Sequence, residues 1–181
     1  MSGVASVRGR VVAPGGDLLW FLGTLARMKL TGADTGGRFA LWEGVLPRGA
    51  APPLHSHPQD ETFYVLEGEV TAWIVDADQV DSDVDPPAWV SACAQRGGVG
   101  TVSFAPGGTP HTFRIESDTA RLLFLSTPAG VEDYVRELAE PAQWPWLQPP
   151  TNGPRVPTDK LHLVEQELGM IRHGPPPPQQ L

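Results

Sequence analysis

The chain has 181 residues, of which 20 are Gly and 20 are Pro, a turn-rich composition that stops just short of the roughly 25–30% Pro plus Gly associated with disorder. Hydrophobic residues at 40%, with six Trp, six Phe and two Tyr, supply apolar surface for one folded domain, which at this size buries about 70% of the unfolded chain's area without help from metal or disulfide. Thirteen Lys and Arg against 21 Asp and Glu give a formal net charge of −8 with no basic stripe, which argues against a nucleic-acid partner.

In chain order, residues 1–37 read as an N-terminal arm and strands. The apolar run LLWFLGTLA (18–26) follows Asp17, is too short to cross a bilayer and lacks a small-residue cleavage site, so the expectation is a soluble, cytoplasmic protein without a membrane partner. WFLGTLARMKL (20–30) is expected as a strand and GADTGG (32–37) as its turn. The first dozen residues are expected to fray or to pair with a neighbouring chain's sheet.

Residues 38–127 carry short β-prone runs separated by turn residues: FALWEGVL (39–46), ETFYVLEG (61–68), EVTAWIV (69–75), GTVSFA (100–105), HTFRI (111–115) and RLLFLST (121–127). This spacing predicts an all-β antiparallel sandwich or barrel as the core of a single domain. Between Val75 and Gly100 the acidic DADQVDSDVDPPAW lacks the Gly and Glu that an EF-hand loop begun at Asp76 needs, and reads as a solvated loop. The one cysteine, Cys93, has no partner for an internal disulfide and reads as a small apolar residue of a reduced compartment.

Residues 128–181 change character to a helical segment and a Pro-rich tail. Val131, Tyr134, Val135 and Leu138 fall on one helical face ahead of Pro141. A second helix is expected from Thr158 as N-cap to Gly169 as stop, with Leu161, Val164 and Leu168 on one face. Both are expected to cover the sandwich, and PPPP at 175–178 to extend stiffly beyond it. His162 and His173 lie in this tail and read as surface residues.

The chemistry concentrates in GAAPPLHSHPQDETFYVLEG (49–68) and GTVSFAPGGTPH (100–111). His55 and His57 are two apart and share a strand face, Pro58 ends the run, and a turn brings Glu61 back beside them. If the strands at 55–57 and 111–115 face each other across one interior, His111 completes a set of three imidazoles and one carboxylate. That set suits a divalent transition ion, Fe, Ni, Mn, Co, Cu or Zn, without choosing among them, and leaves coordination positions open.

These two segments resemble the two motifs of the cupin superfamily. The first, G(X)5HXH(X)3–4E(X)6G, is met by Gly49, His55, His57, Glu61 and Gly68; the second, G(X)5PXG(X)2H(X)3N, by Gly100, Pro106, Gly108 and His111, with Ile115 where the motif has Asn. The resemblance implies a cupin jelly roll with one metal ion held by His55, His57, Glu61 and His111. Ile115 would put an apolar wall where the family has a hydrogen-bonding side chain, which bears on how the ligands are oriented.

If Glu61 points inward, strand alternation sends Phe63 and Val65 inward, and from His111 the same count sends Phe113 and Ile115 inward and Arg114 outward. Trp42, Trp73, Phe104 and Phe124 are further candidates for the substrate wall. The expected substrate is therefore small and apolar or aromatic, with no inward Arg or Lys to clamp an anion.

WFLGTL (20–25), GGRFALWE (36–43), TPAGVEDYVRELAEP (127–141) and a late ELGM extend the resemblance to small bacterial single-domain cupins related to quercetin 2,3-dioxygenase. It implies that a flavonol or similar enolisable hydroxy-ketone is deprotonated by Glu61 and cleaved by dioxygen with loss of carbon monoxide. Competing readings are a non-oxidative metal-dependent cupin, such as an isomerase, cyclase or decarboxylase, and a binding module without catalysis. A thiol dioxygenase fits less well, because those cupins resemble this pattern without Glu61. A homodimer is expected, since a jelly roll leaves sheet edges for a partner to cover.

Overall fold

The computed structural model describes residues 7–75, 93–147 and 156–177. Its strands form two antiparallel sheets. The larger runs β11 (Glu140–Pro141), β1 (Leu18–Phe21), β2 (Thr24–Leu30), β3 (Ala40–Pro47), β10 (Thr119–Thr127), β5 (Asp60–Glu67) and β8 (Val102–Ala105). The smaller runs β12 (Ile171–Gly174), β4 (Leu54–Ser56), β9 (His111–Ile115), β6 (Val70–Ile74) and β7 (Ala94–Gly97). The fold is an all-β jelly roll, as the strand spacing predicts. The acidic stretch 76–85 and residues 1–6 lie outside the described residues.

Binary alternation explains which sheet face closes inward. In β3 Ala40, Trp42 and Leu46 are buried, and in β10 Ala120, Leu122, Phe124 and Ser126 are buried. Their ladder pairs Phe124 with Trp42 on one side and with Phe63 of β5 on the other. The Trp42 and Phe124 rings stack at 5.3 Å, and Val65, Val70, Ala72 and Ile115 complete the same core from both sheets. Phe63, Val65, Phe113 and Ile115 thus take the inward positions that counting from Glu61 and His111 predicts.

The N-terminal run departs from expectation. WFLGTLARMKL is two strands joined by a turn at Leu22 and Gly23, with φ of 47° and 90°. Two successive positive φ values give the twist that a tight antiparallel hairpin requires. GADTGG holds one helical turn, α1 (Gly32–Thr35), because the Thr31 N–H donates to Asp34 Oδ2 at 2.9 Å and Gly36 ends the turn at φ 66°. β1 and β2 join the same sheet as β3, so the N-terminal strands are built into the barrel wall.

After β10, α2 (Val131–Leu138) buries Val131, Val135 and Leu138 on its inner stripe. The second expected helix is α3 (Thr158–Leu168), but Pro157 occupies the N-cap and Thr158 makes no side-chain cap. Pro157 has φ −57° and already sets the entry to the helix without an N–H to satisfy. Gly169 ends α3 at φ 77°, and the next residues turn into β12, which pairs with β4. No helix among the described residues is long and apolar enough to cross a membrane.

Candidate metal centre

His55 sits in the three-residue β4, opposite His111 in β9. His57 lies just past the end of β4, and the chain crosses at Pro58 to the other sheet, where Glu61 stands near the start of β5. The cluster is therefore assembled at a junction of the two sheets. The turn after β8 is pinned there by Gly108 N–H to the His57 carbonyl at 2.8 Å and Gly107 N–H to Asp60 Oδ1 at 2.7 Å. A Cβ on Gly107 would stand 2.2 Å from the Pro58 carbonyl oxygen, so the two motif segments touch where only glycine fits.

One ligand atom from each of His55, His57, Glu61 and His111 lies within 4.8 Å of all the others. The three imidazoles are 7%, 3% and 6% exposed in sequence order, a degree of burial that demands partners. His55 Nδ1 and His111 Nδ1 each meet a backbone carbonyl, of Pro53 and Thr109, at 2.8 Å. A carbonyl only accepts, so both nitrogens carry hydrogen and each Nε2 is turned to the cluster. His111 Nε2 is 3.0 Å and His57 Nε2 3.6 Å from Glu61 Oε2. Neither nitrogen of His57 has a hydrogen-bond partner.

Burial, together with the neighbouring His111, pushes His55 down to about 4, so it is a neutral lone-pair donor at pH 7. Burial alone would raise Glu61, but the hydrogen bond from His111 and the close approach of His57 hold it well below the usual carboxylate range. Burial lowers His111, and the Glu61 carboxylate outweighs it and raises the ring above its ordinary value. His111 thus faces acceptors from both nitrogens, an arrangement satisfied by a cation at Nε2, whether a proton or a metal ion. The orphaned His57 nitrogens and three imidazoles converging on a carboxylate fit a divalent transition ion as resident cofactor.

Ile115 is 1% exposed in the apolar core, and the orientation of the imidazoles comes from the Pro53 and Thr109 carbonyls instead of an Asn side chain. Ser126, opposite Glu61 in the β10 ladder, has a buried hydroxyl without a partner.

The cluster opens on a cavity of about 470 Å³ that His55 and Glu61 line. Its wall is mostly apolar, with Phe21, Trp42, Leu46, Phe113 and Phe124 from the sheets and Val131, Val135 and Leu161 from the helices. Phe63 borders a small gap behind Glu61 and His111, while Val65 and Ile115 lie in the packed core.

Two expected wall residues lie elsewhere. Trp73 pairs with Thr112, one position out of phase with His111, and is buried with Leu54 and Val75 on the other face of its sheet, where the Arg114 guanidinium lies 5.2 Å from the ring. Arg114 does point away from the interior, but it is 6% exposed and bonded to Glu116, not solvated. Phe104 is 53% exposed because in β8 Ser103 and Ala105 take the inward positions. Alternation sets no phase for these two strands, because neither carries an anchoring ligand.

The helical segment covers the barrel and also lines the cavity, through Tyr134, Glu165, Met170 and Arg172. No cation is expected at the cavity, yet Arg172 lines it with its side chain 43% exposed. Its strand, IRHG, has neither alternation nor flanking motif to announce it. His162 and His173 are both exposed, as expected, and His173 Nε2 lies 2.9 Å from Ser56 Oγ.

The cupin domain family model matches residues 42–83, which include His55, His57, Glu61 and Gly68. Quercetin 2,3-dioxygenase from Bacillus subtilis strain 168 is 27% identical over 127 residues, covering 70% of this chain and 33% of that protein. The chain therefore spans about a third of the length of this relative. Among solved structures, an RmlC-like cupin from Shewanella frigidimarina NCIMB 400 superimposes with TM-score 0.51 at 17% identity, covering 72% of this chain and all of that one. The polyketide cyclase RemF from Streptomyces resistomycificus is 23% identical, with TM-score 0.44 over 70% of this chain and 78% of that one.

Proposed function

Taking the chain as a cupin in fold and motif, we propose that it is a metal-dependent oxygenase, quercetin 2,3-dioxygenase-like, that cleaves a flavonol or a related enolisable aromatic compound with dioxygen. The observation that carries this reading is the junction of a His3Glu cluster with an aromatic-walled cavity of about 470 Å³, within the range of small-molecule sites. The likeness to a quercetin dioxygenase supports the same substrate class.

His55, His57, His111 and Glu61 would hold the ion. When bound, a divalent ion supplies Lewis acidity that favours the deprotonated form of a coordinated hydroxyl, and an open position for oxygen chemistry. Glu61 is ionised at neutral pH and can receive that proton. The hydrogen bond from His111 that depresses it also makes it a weak base, so Glu61 would act on a hydroxyl that the ion has already acidified. Trp42, Phe113 and Phe124 bury the flat face of an aromatic ligand and keep water from Glu61.

Elemental analysis of the purified protein followed by an oxygen electrode with a flavonol panel tests the reading. The expected result is about one transition ion per chain and oxygen uptake with carbon monoxide release. Metal without oxygen uptake on any flavonol overturns it in favour of a non-oxidative Lewis-acid reaction. The protein is also proposed to form a homodimer through the β8 edge, where Val102 and Phe104 are 58% and 53% exposed; a light-scattering mass of one chain overturns that.

A further inference from the structure

We propose that Arg172, oriented by Glu165, recognises a second oxygen function on the substrate, distinct from the oxygen presented to the histidine cluster. This rests on reading the cavity as a site for an aromatic hydroxy-ketone.

Arg172 is the register partner of His55 across β12 and β4. Directly opposed residues of an antiparallel pair share a face, so Arg172 stands on the same side as the candidate ligand, and both line the cavity. Glu165 of α3 is 6% exposed and accepts from Arg172 Nε at 3.1 and 3.0 Å and from Nη2 at 2.5 Å. A buried carboxylate requires such a partner, and the two-pronged contact fixes the plane of the guanidinium. Nη1 has no protein acceptor among the described residues, which leaves donors for a ligand oxygen.

Tyr134 stands on the same wall. Burial, then the Glu165 charge, pushes its phenol up to about 12, so it remains a neutral hydroxyl beside the ion pair. In a wall that is mostly apolar, this polar corner is remote in sequence from both motif segments and belongs to the C-terminal cap. It gives the cavity a second polar address besides His55 and Glu61. The fitting substrate is a flat aromatic compound with one oxygen pair for the metal cluster and a hydroxyl, phenolate or carboxylate elsewhere on its rings. Because Glu165 already neutralises Arg172, the corner favours directional hydrogen bonding over capture of a free anion.

The test is calorimetric binding to the full-length, metal-loaded protein under argon, with quercetin and with 3-hydroxyflavone, which keeps the hydroxy-ketone but lacks the other ring hydroxyls. Wild type is expected to bind quercetin about 10- to 100-fold more tightly, the scale of one hydrogen bond to a charged donor. Arg172→Met is expected to bring that ratio to about 1 by weakening quercetin alone, with 3-hydroxyflavone affinity and metal content unchanged. Glu165→Gln, which frees the guanidinium, and Arg172→Lys, which keeps charge without the fork, are expected to fall between. They carry the test if the Met variant does not fold. A ratio near 1 in wild type, a ratio that persists in the variants, or no binding of either compound overturns the proposal. A binding split that is intact without oxygen uptake overturns the oxygenase reading and leaves the role of Arg172 standing.

Discussion

His57 is a histidine that the protein leaves without a hydrogen bond, 3% exposed and with both ring nitrogens unpartnered. Such a group costs about 1–3 kcal/mol unless something satisfies it. His57→Leu should therefore leave the melting temperature of metal-free protein unchanged or higher. Metal affinity, measured by competition with a chelator, should fall by more than the roughly 10- to 100-fold typical of losing a supporting contact. A parallel fall in metal-free stability would show that His57 serves the core. Glu61 makes the opposite test: Glu61→Ala should retain some metal while flavonol turnover falls by about 10²–10⁴, the usual contribution of a positioned base. Unchanged turnover would remove its role in proton transfer. All four candidate ligands were legible as residues because HxH, the following Glu and the later His have fixed spacing. Their differing protonation was not, because it depends on the Pro53 and Thr109 carbonyls and on mutual distances that spacing does not encode.

At the scale of elements, the centre depends on two segments about fifty residues apart being clamped together by the Pro106, Gly107 and Gly108 turn. Gly107→Ala places a methyl 2.2 Å from the Pro58 carbonyl oxygen, a contact that backbone must move to relieve. The expected outcome is a stability loss of about 1–3 kcal/mol and a loss of metal affinity larger than that of Gly98→Ala, whose added Cβ would approach nothing closer than 3.8 Å. Chemical denaturation and chelator competition measure the two effects; an equal response of the two variants would contradict the clamp. Strands with strong alternation or a motif residue, such as β3, β5, β9 and β10, are readable from sequence. β12 and β11 are not, since runs of only four and two residues form strands because β4 and β1 offer them a ladder.

For the whole molecule, the buried cluster predicts how stability without metal depends on pH. His55 has its folded value lowered to about 4 from 6.5, so below pH 6.5 the unfolded chain takes up a proton that the folded chain refuses, and stability falls with pH. Glu61 is lowered from 4.5, and its stabilisation, present above 4.5, is lost only as pH falls through its folded value. His111 is raised from 6.5, and its stabilisation is complete below 6.5 and fades as pH rises through its folded value. Between pH 6.5 and 4.5 the His55 effect is the one within the cluster that changes, giving a loss on the order of 2 kcal/mol, and His173, also lowered from 6.5 by burial, adds to it in the same direction. Denaturation of chelated protein across that interval checks this, and His55→Gln should flatten the slope. A flat wild-type profile would contradict the burial of a neutral His55.

The all-β class, the inward phase of β5 and β9, and the four converging ligand candidates follow from sequence alone, because strand alternation and fixed turn spacing are local rules that hold wherever a ligand anchors the phase. The position of Trp73 and Phe104 outside the cavity, the conversion of GADTGG into a helical turn, and the entry of Glu165 and Arg172 into the wall were decided by tertiary structure. Each depends on which face of a strand finds the core, or on pairing between segments more than a hundred residues apart, such as β4 with β12. That pairing is the physical reason the cavity acquires a cation that no local pattern in the chain announces.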